Sequence, residues 1–195
     1  YGFRSLGMDL ELLEWLNTRT FPEEERYENE EYARKGYSIF AEDLKMGAPT
    51  RVCAFGTIHR KSTEIRMACM EESGLISKVG KVNMDRNGSP GLTEESPEKS
   101  LEETLLWLEE TKDRYENVSP ILTPRFVPSC SDELLKGLGE LGRKRGLPVQ
   151  SHLSENQGEI QLVKELCHWT QFNGDVYDHF CLFGASFQAF PRMDQ

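Results

Sequence analysis

Four times along the chain a short apolar run gives way to an amphipathic stretch of helical period: Arg51–Gly56, Lys78–Met84, Val118–Thr123 and Pro148–Leu153 are each followed by such a stretch. Few residues connect them. Strands joined through helices run parallel, because a crossover is needed to return the chain to the same end of the sheet. The pattern is therefore α/β, and both a (β/α)8 barrel and a doubly wound sheet fit it. The first strand-to-helix turn, Phe55–Ser62, has no G-x-G-x-x-G, and G-x-x-x-x-G-K-[ST] occurs nowhere. Nucleotide-phosphate folds lose support accordingly. A complete barrel needs eight strands and about 250 residues. With 195 residues, a barrel reading predicts a partial TIM barrel of about four βα units.

Local signals set the element ends. Leu10, Leu13, Trp15 and Leu16 recur at helical spacing over residues 8–20, and Phe21-Pro22 predicts a break, since proline disfavours helix at the residue before it. A long helix is expected from Asn29 to Met46, with Tyr32, Tyr37, Phe40 and Leu44 inward and Gly47 as its stop. Ser62 reads as the N-cap of a helix that carries Ile65, Met67, Cys69 and Met70 and ends near Gly74. Ser96-Pro97 opens another, with Leu101, Leu105, Leu108 and the nearby Trp107 as its apolar stripe. Helices are also expected over Ser131–Arg145 and from Glu155 to Leu166. The chain divides into a barrel-type unit, residues 1–178, and an atypical tail, residues 179–195, whose CLFGASFQAFPRMDQ shows no clear period.

The formal net charge of −10 argues against nucleic-acid binding, which needs clustered Lys and Arg, and against docking on an anionic membrane. No apolar run approaches a membrane span, and the first residues do not read as a signal peptide. The chain begins at Tyr1 rather than Met, which fits a partial or processed product. Cys53, Cys69, Cys130, Cys167 and Cys181 are scattered, with no CxxC pair. Buried, reduced thiols of a cytoplasmic protein are expected.

In a parallel barrel, chemistry sits where strands end. His152 ends the fourth apolar run and Arg125 follows the third. His152 and Glu155 are three residues apart across a strand-to-helix turn, a spacing that lets an imidazole and a carboxylate enter one cavity. The imidazole can bind Zn²⁺ and the carboxylate can move protons. Alternatively, His152 only packs and Glu155 caps a helix. Arg125 can grip a carbonyl or anion with its planar fork, or form a surface salt bridge. His59 reads as a polar loop residue, and His168 and His179 as exposed. Trp15 and Trp107 read as packing residues, with Trp15 also a candidate pocket wall. The acidic run Glu23-Glu24-Glu25 reads as a solvated helix start.

Five ordered blocks, DLELLEWLNTRTF (9–21), FGTIH (55–59), VGKVNMDRN (79–87), PILTPRFVPSC (120–130) and QSHLSEN (150–156), together resemble the guanine deaminases of the amidohydrolase superfamily. The resemblance covers most of the chain to about Asp178. It implies the amidohydrolase (β/α)8 barrel, of which about four βα units are present, with one zinc ion and hydrolytic deamination of guanine to xanthine and ammonia. By position, His152 matches a zinc ligand and Glu155 the proton-shuttling glutamate. Arg125 matches the arginine that recognises the purine carbonyl, and Phe126 its pocket neighbour. The family's HxH pair is expected before Tyr1, and its later histidine and aspartate are not matched. His152 is then the single metal ligand present, and the chain is expected to be a truncated fragment, inactive alone. The resemblance also implies a cytoplasmic homodimer for the intact protein. Two alternatives remain: an amidohydrolase acting on a pyrimidine or triazine, and a non-catalytic truncated form that associates with full-length subunits.

Overall fold

The computed structural model describes residue 7, residues 9–183 and residues 187–190. Its strands are β1 (Arg51–Phe55), β2 (Ile76–Gly80), β3 (Val82–Asn83), β4 (Val118–Pro120), β5 (Thr123–Pro124), β6 (Val149–His152) and β7 (Phe187–Phe190). Its helices are α1 (Leu12–Trp15), α2 (Phe21–Glu25), α3 (Glu30–Lys45), α4 (Arg60–Ser73), α5 (Pro97–Glu110), α6 (Asp132–Arg145), α7 (Gln157–Leu166) and α8 (Gly174–His179). No helix among the described residues is long and apolar enough to cross a membrane.

All ladders are parallel: β1 with β2, β2 with β4, β3 with β5, and β6 with β7. Two of the expected strands are each divided. Lys81 interrupts the second by turning its side chain inward, where Nζ meets Glu94 at 2.5 Å and the Val82 carbonyl at 3.2 Å. The third divides where the chain changes partners. Ile121 N–H donates to Val79 on one side, and Leu122 N–H to the Pro148 carbonyl on the other. Successive amides of an extended chain point to opposite sides, so residues 118–124 lie between the second and fourth strands. Strand order thus follows chain order. A doubly wound sheet reverses that order at its switch point, and the described strands show no reversal. Gln150 on β6 donates from Nε2 to the Ala54 carbonyl of β1 at 3.1 Å and accepts from Cys53 Sγ. A fully buried amide that bridges non-adjacent strands means that the sheet curls until β1 and β6 face each other. Within residues 179–195, Phe187–Phe190 pairs with Val149–His152; residues 184–186 and 191–195 lie outside the described residues.

The helices form where their caps allow. Asn29, Ser96 and Ser131 each accept a hydrogen bond from the N3 amide of α3, α5 and α6. Gly74 and Gly146 take left-handed conformations at the ends of α4 and α6. Four expectations need correction. His59, not Ser62, is the N-cap of α4; Ser62 is buried and donates to the Tyr27 carbonyl instead. Pro22 does not end the first helix. A π turn, Leu16–Thr20, precedes it, and the wider spiral accommodates a residue without an N–H. Leu105 is 38% exposed, so the stripe of α5 rests on Trp107 and Leu108. Finally, α7 starts at Gln157 with Asn156 as its cap, leaving Glu155 in the loop.

The main core packs Tyr37 of α3, Met67 and Met70 of α4, Trp107, and Leu134 and Leu138 of α6 around the strands. A second cluster joins Leu16 and Phe21 of the N-terminal helical segment to Val82, Met84 and Phe126. Of the cysteines, all unpaired, Cys69, Cys130 and Cys167 are buried as expected, whereas Cys53 is half-buried and Cys181 exposed.

The β2 and third-strand backbones approach closely at Gly80. A Cβ there would lie 1.8 Å from Thr123 Oγ1 and 2.5 Å from the Ile121 carbonyl oxygen. Gly80→Ala is expected to destabilise the fold by roughly 1–3 kcal/mol or more, because backbone must move. A urea midpoint equal to that of the wild type would contradict this close packing.

Candidate active site

The C-terminal ends of β1, β5 and β6, with Val82 of β3, open into a cavity of about 340 Å³, covered on the far side by the helical segment that contains α1 and α2. Arg125, Phe126, His152 and Glu155, read separately from the sequence, all line it. Trp15 lines it too.

His152 is fixed twice by one residue. Its N–H donates to the Arg125 carbonyl at 3.1 Å, and its Nδ1 lies 2.8 Å from the same oxygen. A carbonyl only accepts, so Nδ1 carries the proton and Nε2 keeps its lone pair. The Phe55 ring, centroid 4.4 Å away, packs against the imidazole. Burial lowers the His152 pKa to about 4. The ring is neutral at pH 7, the form that can ligate a metal or accept a proton.

Glu155 follows Ser154, which has φ of 54°, in the left-handed region. That turn is held by Glu159, whose Oε2 accepts from the Glu155 N–H at 3.0 Å and whose Oε1 accepts from Asn173 at 2.9 Å. Burial raises the Glu155 pKa above the usual carboxylate value, and the Arg125 charge opposes the rise. Arg125 is buried rather than on the surface. Its Nη1 donates to Glu24 Oε2 at 2.7 Å, and its guanidinium carbon lies 5.0 Å from the Phe21 ring centroid. Glu23–Glu25 is therefore not a solvated run. Glu23 accepts from the Tyr32 hydroxyl, Glu24 from Arg125, and Glu25 from the Gly91 amide.

Sequence reasoning missed Glu24, Phe55, Glu159 and Arg66. Arg66 lines the cavity from α4 and donates to the Phe55 carbonyl. Glu24 had at most a weak signal, an acid three residues after the aromatic Phe21 that closes the first block, and nothing local told which acid turns inward. His59 is half-buried, with Nε2 unpartnered, and lies outside the cavity lining; His168 and His179 are exposed. Among the described residues, no group of three or more His, Cys, Asp or Glu side chains can hold a metal ion. A catalytic zinc normally needs three protein ligands, so the described residues do not by themselves form a zinc site.

Residues 2–178 match the model of the amidohydrolase family. The chain belongs to that family. It is 37% identical over 185 residues to a probable guanine deaminase of Schizosaccharomyces pombe, covering 93% of this chain and 35% of that protein. It is 40% identical over 180 residues to the guanine deaminase of Mus musculus, covering 91% of this chain and 39% of that protein. Among solved structures, a guanine deaminase from C. acetobutylicum with guanine bound in its active site superposes with a TM-score of 0.93 at 48% identity, over 97% of this chain and 45% of that one. The chain thus spans less than half the length of each.

A group whose folded pKa is depressed binds fewer protons than the unfolded chain between the two values, so its stabilising effect is lost as pH falls. For His152 the window runs from 6.5 down to about 4. The melting-temperature gap between wild type and His152→Gln should narrow as pH falls through that window. A gap that stays constant would mean that His152 is not held neutral.

Proposed function

We propose that this chain is part of a zinc-dependent guanine deaminase, comprising about four βα units of its barrel. The observation that carries the reading is the convergence of Arg125, Phe126, His152 and Glu155 on one cavity, in a chain similar over nearly its whole length to a guanine deaminase with guanine bound. Arg125 donates to the purine carbonyl, using guanidinium N–H groups other than the one committed to Glu24. Phe126 and the apolar wall restrict the cavity to a flat ring and exclude water. Glu155, with its raised proton affinity, takes one proton of the attacking water and delivers it to the ring nitrogen; it then takes the remaining proton, from the new C2 hydroxyl, and passes it to the amine as the C2–N bond breaks and the C2 carbonyl forms. Guanine and water become xanthine and ammonia. His152 would hold a zinc ion through Nε2 as one ligand of several, and the ion would supply an activated water.

The test is steady-state kinetics on the complete protein with guanine, a pyrimidine and a triazine as substrates. Guanine turnover is expected, and preference for either other class would overturn the reading. Glu155→Gln keeps the shape but cannot carry a proton, so kcat should fall by about 10²–10⁴ with zinc content unchanged. An unchanged rate would leave Glu155 as a loop residue only. The 195-residue chain, supplied with zinc, is expected to convert no guanine and to retain no tightly bound zinc, since one imidazole does not make a shell. Turnover by the isolated chain would refute the assignment of the missing ligands.

A further inference from the structure

Arg125 carries a buried charge, and its ion-pair partner comes from 101 residues away. Glu24 on α2 holds Nη1 at 2.7 Å, with the two side chains 9% and 14% exposed. The other Glu24 oxygen, Oε1, is buried and meets no hydrogen-bond partner. A carboxylate that gives up hydration on one oxygen for a single contact is costly, and such a group calls for a reason beyond packing. Geometry supplies one. A guanidinium presents its donors in one rigid plane, so fixing one Nη together with the ring contact to Phe21 fixes where the others point. No other carboxylate among the described residues forms a salt bridge with Arg125.

We propose that Glu24 is a positioning residue for substrate selection: it aims the Arg125 guanidinium so that its remaining N–H groups meet a ring carbonyl in the cavity. The proposal rests on the reading of Arg125 as the carbonyl donor. Glu24 lines the cavity beside Arg125, and the role assigned to it runs through the guanidinium. Its loss leaves the arginine present but free to turn about the Phe21 face, which weakens recognition of the carbonyl more than it slows the chemical step. The helical segment around α2 is thereby part of the specificity machinery and more than a cover.

The experiment compares wild type, Glu24→Met, Glu24→Gln and Arg125→Ala in the complete protein. Substrates are guanine and 2-aminopurine, which keeps the C2 amine but lacks the C6 carbonyl. Glu24→Met keeps the bulk and removes the acceptor. It should raise KM for guanine and lower the guanine to 2-aminopurine selectivity, each by about tenfold or more, as expected for loss of a charge-assisted hydrogen bond. Its kcat for guanine should change far less. Glu24→Gln, whose amide oxygen can still accept from Nη1, should restore most of the selectivity. If Arg125→Ala damages selectivity while Glu24→Met does not, Glu24 is a tether only and the proposal fails. Equal losses with both substrates in Glu24→Met overturn it as well, as a general structural effect. If Arg125→Ala itself leaves guanine kinetics untouched, the reading of Arg125 fails and the proposal falls with it.

Discussion

The carbonyl of Arg125 is the joint on which the site is built. It accepts the His152 amide, as a neighbouring parallel strand requires, and the His152 Nδ1 as well. One oxygen therefore sets the strand register, the direction of the imidazole and its tautomer. The Arg125 amide donates to Asn83 on the other side, so the residue is held between two strand ends while its side chain reaches across to α2. A slip of one residue in this pairing would turn the side chains to the opposite face and dissolve the cavity.

The buried cations around the site follow one rule: each has a partner from another element. Lys81 is paired with Glu94, whose second oxygen also accepts from Ser100 and the Met84 amide. Arg125 has Glu24, and Arg66 has the Phe55 carbonyl together with the rings of Tyr37 and Phe40. Such pairs add little net stability against an apolar core, yet breaking one strands the other charge. Their effect here is placement. They tie α2, α4 and the loop after β3 to the strand ends, where the apolar contacts of Leu16, Phe21 and Phe126 alone would permit sliding.

The repeating alternation of strands and helices was legible in the sequence because period and caps are local. Asn29, Ser96-Pro97, Gly74 and Gly146 mark ends that the structure reproduces. What failed depended on distant partners. Ser62 has the composition of a cap, but the Tyr27 carbonyl draws it inward. Pro22 should stop a helix, but burial of Leu16 and Phe21 against Val82 and Met84 favours a widened turn over a break. Glu24 could not be told from Glu23 or Glu25 without Arg125. The candidate site was legible in its strand-end residues, Arg125 and His152, and illegible in the acids that support them, since nothing in the sequence alone reveals which carboxylate is buried.

Two neighbouring carboxyl groups, Glu155 and Glu159, show how the fold separates roles that sequence spacing leaves equal. Burial raises both, and the Glu155 charge adds to the rise of Glu159, which is carried to about 7. Glu159 turns toward backbone and Asn173 donors, and those hydrogen bonds limit its rise. Its acceptor oxygens are thus engaged in holding the 154–155 turn. Glu155 faces the cavity beside Arg125, the one charge that favours its ionised form. When environments divide two acids in this way, the one bound to backbone serves as scaffold and the one facing open space is left to exchange protons. The left-handed Ser154 is the hinge of that division. The extended Asn156 cap then starts α7 one residue later, so Glu155 stays in the turn between them.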